Sequence, residues 1–279
     1  MPQSGGVRPR YGHDRGPLAI AHRGGAGLAA ENTLDAFGRS YALGLRYLET
    51  DIRVTRDRDV VAFHDRTLHR VTGVRSNVSA LDSRHLTTLP VLGREPIPTL
   101  REALLAFPQA RFTVDVKERE ALPRLVEVLI ETGAAARVCL AGAWDSWLAH
   151  AVEQVGPDLT VAMGWRMLSR TLTALRYGRH PRRLPTPGSF AHVPLRLGRI
   201  AIFHDELVPR AHDLGVRIVV WTVNEPQTMH RLLDRGVDGI ITDRPDLLRE
   251  VLIARDQWHP PADEIDPLDS DQRGVASDA

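Results

Sequence analysis

Between residues 18 and 255, short runs of β-preferring residues alternate with amphipathic helical stretches, and this alternation constrains the fold more than any other feature of the chain. Eight strands are expected, near residues 18, 47, 112, 137, 159, 190, 217 and 239. Helices separate them. One carries Leu34, Phe37, Tyr41 and Leu45 on a single face, with Asn32 or Thr33 as its N-cap. Thr99 with Glu102 three residues on forms a capping-box signature for a helix over 100–107. Others are expected over 122–132, 144–155, 205–214, 226–235 and, opened by Pro245, 246–254. Regular alternation means a parallel sheet with helical crossovers, and eight units suit an α/β fold of the (β/α)8 TIM-barrel type. A doubly wound open sheet is the alternative, but no Gly-x-Gly-x-x-Gly follows the first strand.

The stretch 47–65 reads as strand, turn and strand, and predicts a β-hairpin arm at the active-site rim. Strand side chains alternate faces, so Glu49 and Asp51 share one. A two-residue turn centred between Asp57 and Arg58 would set Asp51 opposite His64. That turn lacks Gly or Asn; a four-residue loop keeps the register and a three-residue loop shifts it by one.

The barrel domain is expected over 18–255, after a flexible arm over 1–17 and before a disordered acidic tail over 256–279. The tail holds seven acidic residues against one Arg, with Pro260, Pro261 and Pro267. A formal net charge of +1 gives no reason to expect nucleic acid as a partner. The single cysteine, Cys139, excludes an internal disulfide; with no apolar leader and no spanning apolar run, a cytoplasmic protein is expected. Lys117 is the one lysine among 36 basic residues, which suggests that its position requires an ammonium.

In a barrel, chemistry sits at the carboxyl ends of the strands. There the sequence places His22 and Arg23, Glu49 and Asp51, Asp115 and Lys117, and Trp221, with the hairpin returning His64 to the mouth. Glu49, Asp51 and Asp115 would repel one another unless a divalent cation joined them, and an all-oxygen set suits Mg2+ or Ca2+. The competing reading is an ion-pair cluster neutralised by Arg23 and Lys117. His22 and His64 can act as general base and acid on opposite sides of a reacting centre, and Arg23 and Lys117 can hold phosphate oxygens. The other histidines, His192 among them, are read as structural. Together these groups describe a phosphoryl-transfer site.

The blocks His22-Arg23-Gly24, Glu31-Asn32-Thr33, Glu49-x-Asp51, His64-Asp65, Asp115-x-Lys117, Trp221-Thr222-Val223-Asn224 and Gly236 to Pro245 resemble, in order, those of the glycerophosphodiester phosphodiesterase family. The resemblance implies a (β/α)8 barrel, a bound divalent metal, and hydrolysis of glycerophosphodiesters to sn-glycerol 3-phosphate and an alcohol. It makes His22 and His64 the acid–base pair, makes Glu49 and Asp51 metal ligands, and puts Trp221 against the glycerol or the leaving alcohol. Asp115 departs from the Glu often found as third ligand, and Ala30 from the Pro often found before Glu31. Lysophospholipids are an alternative substrate, and a cyclic phosphate an alternative product. A non-catalytic phosphoester-binding or membrane-binding protein is the alternative of another class. Asp243 is read as the cap of the last helix. The segment Arg166–Arg183, rich in Arg and free of acidic residues, is expected to overhang the mouth, either as a solvated cover or as a lip for an anionic membrane surface.

Overall fold

The computed structural model describes residues 10–179, 188–197 and 200–259. Eight parallel strands form the frame: β1 (Leu18–Ala21), β2 (Tyr47–Val54), β3 (Arg111–Val116), β4 (Val138–Gly142), β5 (Thr160–Val161), β6 (Phe190–Pro194), β7 (Arg217–Trp221) and β8 (Gly239–Thr242). Their order is β5-β4-β3-β2-β1-β8-β7-β6, and a parallel bridge between Ala162 and Phe190 joins the two ends into a nearly closed barrel. The expected fold is therefore found. Each strand is followed by a helix: α1 (Leu34–Ala42), α2 (Leu100–Ala106), α3 (Leu122–Thr132), α4 (Asp145–Val155), α5 (Trp165–Arg176), α6 (Leu207–His212), α7 (Pro226–Asp234) and α8 (Pro245–Ala254). The capping box on α2 forms, with Thr99 Oγ1 accepting from the Glu102 N–H at 3.1 Å and Glu102 Oε2 accepting from the Thr99 N–H at 2.8 Å.

Parallel strands of this kind are buried on both faces. Outward residues such as Leu48, Phe112, Leu140 and Val220 pack with Phe37, Leu100, Leu125 and Leu248 from the helices. Inward residues, including Ile20, Tyr47, Cys139, Phe190 and Val219, fill the barrel axis. Tyr11 joins them. It is 3% exposed, its hydroxyl lies 2.6 Å from Thr113 Oγ1, and its ring meets Tyr47 and Phe190 edge-on. The flexible arm expected over 1–17 is thus corrected for residues 10–17, where an aromatic plug outweighs the polar composition. The acidic tail lies, from residue 260, outside the described residues.

The hairpin arm is present, but its register differs by one residue. Ile52 pairs with Ala62, Arg53 with Val61 and Val54 with Val60. The Phe63 N–H, not His64, meets the Asp51 carbonyl, at 2.9 Å. A three-residue loop, Arg56-Asp57-Arg58, causes the shift. Arg58 takes the left-handed conformation at φ 68°, and the Thr55 N–H closes onto the Asp59 carbonyl at 2.9 Å. Beyond the hairpin, residues 65–98 carry one-turn helices (His69–Thr72 and Ser83–Leu86) and a core of their own built from Ala30, Val61, Phe63, Leu68, Val71, Leu86 and Ile97.

Only the start of the basic segment lies at the mouth. Trp165 opens α5 where β5 ends, and the helix then runs back along the barrel for about 18 Å at 1.5 Å per residue. Arg176 and Arg179 therefore sit near the opposite end, where β6 begins. Arg182 and Arg183 lie outside the described residues. The expectation that the whole segment overhangs the mouth is corrected by the direction of the helix.

Candidate active site

A cavity of about 400 Å³ opens at the carboxyl ends of the strands. His22, Arg23, Glu49, Asp51, His64, Asp115, Lys117 and Trp221 all border it, so every site residue expected from the sequence is brought together.

The turn after β1 sets the first group. Arg23 adopts φ 50°, a left-handed conformation costing about 1–2 kcal/mol for a residue with a side chain. In return its N–H donates to Glu49 Oε2 at 2.7 Å, its Nη1 to Glu31 Oε1 at 2.8 Å, and its Nε lies 3.3 Å from Asp51 Oδ2. Gly24 follows at φ 81°, where a Cβ would come within 2.6 Å of the Phe37 ring. Asn32 is a residue the sequence reading did not assign to the site. Thr33 caps α1, accepting from the Ala36 N–H at 3.2 Å. Asn32 instead turns inward at φ 57°, donating to Asp51 Oδ2 at 3.1 Å and accepting from Thr50 Oγ1 at 2.8 Å. Asn tolerates this backbone better than most residues.

Asp51 and Asp115 face each other across the β2–β3 ladder. Lys117 bridges them, with Nζ 2.7 Å from Asp51 Oδ1 and 2.6 Å from Asp115 Oδ2. Burial alone would raise the Asp51 pKa, but Lys117 and Arg23 hold it below the usual range. Glu49 fares differently. Burial and the Asp51 charge push it up to about 7, outweighing His22, whose Nε2 lies 4.0 Å from Glu49 Oε2, and Lys117. Among the described residues no group of three or more His, Cys, Asp and Glu side chains stands in a metal-holding arrangement. The donor set nevertheless fits a hard divalent cation, because it is all oxygen and its least compensated member is a buried carboxylate.

Both candidate acid–base imidazoles have a carboxylate behind them. His22 Nδ1 is 2.7 Å from Asp243 Oδ1, and His64 Nδ1 is 2.7 Å from Asp65 Oδ1. An Nδ1–H committed to a carboxylate leaves Nε2 as the working atom. Burial lowers the His22 pKa, but the Asp243 hydrogen bond and the Glu49 charge outweigh it and the net shift is upward. The cap reading of Asp243 is corrected here: α8 has no side-chain cap, and Asp243 is held by Asn224 Nδ2 at 2.8 Å so that it can hold His22. Its position at the end of β8 was the signal available in the sequence.

The other half of the cavity is apolar, lined by Ala162, Met163, Trp165, Leu168, Trp221 and Ile241. His192 stands among them. It is 9% exposed, its Nε2 has no hydrogen-bond partner, and burial pushes its pKa down to about 4. Alternation along Phe190-x-His192 places it inside the barrel, so the structural reading of this histidine overlooked a cavity wall.

Two imidazoles, each bonded at Nδ1 to a carboxylate, border one cavity with a carboxylate and cation cluster at the mouth of a (β/α)8 barrel, and define a barrel phosphodiesterase as the class. Sequence comparison supplies the particular family. Residues 22–247 match the Glycerophosphoryl diester phosphodiesterase family, and the chain belongs to it. It is 36% identical over 246 residues to a Mycobacterium tuberculosis protein named "Probable glycerophosphodiester phosphodiesterase 2", covering 87% of this chain and 93% of that one. A human lysophospholipase D is 28% identical over 84% of this chain and 85% of its own. Among solved structures, the glycerophosphoryl diester phosphodiesterase domain of a Mycobacterium tuberculosis protein superposes with a TM-score of 0.74 at 21% identity, covering 86% of this chain and 99% of that one. An Oleispira antarctica phosphodiesterase solved with its product sn-glycerol-3-phosphate gives 0.70 at 21%, covering 85% and 97%. At such identities the structural likeness shows the fold.

Proposed function

We propose that this enzyme hydrolyses glycerophosphodiesters to sn-glycerol 3-phosphate and an alcohol, with His22 and His64 exchanging protons with water and the leaving oxygen. The observation that carries the reading is the pair of imidazoles, each fixed at Nδ1 by its own carboxylate, bordering one cavity. Arg23 and Lys117 receive the non-bridging phosphate oxygens. They are the two cations that border the cavity beside Asp51. Trp221 and the apolar wall receive the organic part of the diester. Glu49, Asp51 and Asp115 would hold a divalent ion, Mg2+ or Ca2+, which when bound neutralises charge on the phosphoryl group. The ion-pair alternative keeps Arg23 and Lys117 as the counter-charges. Release of glycerol 3-phosphate from glycerophosphocholine, glycerophosphoethanolamine or glycerophosphoinositol, followed by phosphorus NMR, tests the reaction, and a cyclic phosphate product would replace it with the cyclising alternative. Exhaustive chelation should abolish turnover, and Mg2+ or Ca2+ should restore it; full activity without metal would remove the ion from the reading.

A second substrate class has an observation of its own. The apolar half of the cavity is continuous with exposed Trp165 at the rim and suits the acyl chain of a lysophospholipid, the substrate class in the name of the human relative. Such a substrate would be taken from a membrane surface. The surface contact first expected over Arg166–Arg183 is narrowed to the rim, where Trp144 is 58% exposed, Trp165 is 42% exposed, and Arg119 and Arg166 have no acidic partner among the described residues. No described helix is long and apolar enough to cross a membrane. The working location is cytoplasmic with peripheral contact at this rim.

A further inference from the structure

Arg70 lies outside the cavity, with its side chain 47% exposed. Its contacts nevertheless reach two carboxylates that bond groups bordering the cavity. Nε donates to Asp65 Oδ2 at 2.6 Å, while Nη1 and Nη2 donate to Glu31 Oε2 and Oε1 at 2.8 and 2.6 Å. Asp65 turns its other oxygen to His64 Nδ1, and Glu31 Oε1 also accepts from Arg23 Nη1. One guanidinium thus spans the carboxylate behind an acid–base imidazole and the carboxylate behind a phosphate-holding cation. We propose that Arg70 is a positioning residue: by tying Asp65 to Glu31 it fixes the His64 ring relative to Arg23.

The excursion over 65–98 is built to present this side chain. Arg70 sits on the one-turn helix His69–Thr72, which Gly73 closes at φ 75° with its N–H bonded to the His69 carbonyl. The neighbours of Glu31, His64, Asp65 and Arg70 are anchored in one small core. Ala30 precedes Glu31, Phe63 precedes His64 and Asp65, and Leu68 and Val71 flank Arg70. The relay is therefore held from below by packing and joined above by charge. Its geometry needs a planar fork, because three donors meet three oxygens on two carboxylates. Lysine would keep the charge but could not span both partners.

A partly exposed ion pair contributes little to stability by itself, so a purely structural Arg70 predicts small effects that are independent of His64. The proposal predicts dependence, and it rests on the assignment of His64 to proton transfer. The experiment is a double-mutant cycle on the full chain with glycerophosphocholine and saturating Mg2+, with thermal melts as folding controls. Arg70→Lys should lower kcat roughly ten- to hundredfold, the scale on which partners behind a working side chain act. In His64→Ala, adding Arg70→Lys should cost less than twofold more, since the effect passes through a ring no longer present. Additive losses, or an Arg70→Lys enzyme with at least half the wild-type kcat, would overturn the proposal. Arg70→Gln serves as second variant if the lysine form does not fold. An activity-free readout separates this idea from the functional reading. In nitrogen-15 histidine spectra, the Nδ1–H resonance that disappears in His64→Ala should shift or broaden in Arg70→Lys. An unmoved resonance would sink the positioning role even in an active enzyme, and a wild type inert toward every diester would sink the function while leaving the spectral test in force.

Discussion

At the scale of the residue, Lys117 is where composition and geometry meet. Its ammonium sits 2.7 Å from Asp51 and 2.6 Å from Asp115, with burial lowering its pKa less than the two carboxylates raise it. A compact donor fits between two opposed carboxylates, and a guanidinium fork would spread them. Lys117→Arg should lose about a hundredfold in kcat/KM with little change in melting temperature, because misplacement near 1 Å is costly in displacement chemistry. Steady-state kinetics beside melting curves check this, and a folded variant at half of wild-type kcat/KM would leave the lysine a relic of base composition. His192 supports a prediction about pH. Its folded pKa, about 4, lies below the unfolded value of 6.5. The native state binds fewer protons in that window, so this stability is present above pH 6.5 and is lost as pH falls toward 4. The loss amounts to about 3 kcal/mol by linkage. Urea melts at pH 7 and pH 4.5 should show a smaller acid loss in His192→Gln than in wild type; equal losses would mean that His192 is hydrated in the native protein.

At the scale of the element, what the sequence revealed depended on whether a signal was periodic or conformational. The eight strands and their helices announced themselves through apolar periodicity and end signals such as Gly133, Gly215 and Pro245, and the structure has them within a few residues. The hairpin register escaped, because it turns on a single non-glycine residue, Arg58, entering the left-handed region. Asp51, Glu49 and Lys117 were legible because strand alternation and the rim rule fix their side. Asp243 obeyed the same rule, but its proximity to Pro245 drew the reading toward a cap. Asn32 and Arg70 were hidden, since their roles depend on a turn and on a separate small core that no local pattern encodes. Direction along a helix matters equally for the basic segment. Because α5 descends from the mouth, Trp144→Ser with Trp165→Ser should weaken binding to vesicles containing anionic lipid roughly thirtyfold, each half-buried aromatic contributing about 1 kcal/mol. Arg176→Ser with Arg179→Ser, at the far end, should leave it unchanged. Sedimentation with vesicles distinguishes these pairs, and the reverse ranking would return the contact to the arginines.

At the scale of the whole molecule, the barrel is closed at one end by a residue that composition assigned to a loose arm. Tyr11 stacks edge-on against Tyr47 from β2 and Phe190 from β6, and its hydroxyl bonds Thr113 on β3. The backbone around it is fastened as well. The Gly12 N–H donates to the Tyr47 hydroxyl at 3.0 Å, and Arg111 Nη2 donates to Asp14 at 2.8 Å. Thr113 lies on the wall of the catalytic cavity, so the plug and the site share a residue on β3. Removing the ring should open a cavity in the barrel axis that neighbouring strands, tied by their ladders, cannot collapse to fill. Losses for a buried aromatic truncated to Ala run at about 3–5 kcal/mol. Tyr11→Ala should therefore lower stability by that amount in urea melts, whereas Tyr11→Phe, which keeps the ring and gives up one buried hydrogen bond, should lose only about 1 kcal/mol. Deleting residues 1–17 should resemble Tyr11→Ala and not wild type. A deletion variant as stable as the intact chain would show that the barrel stands without its plug, and would restore the arm to the status its composition suggested.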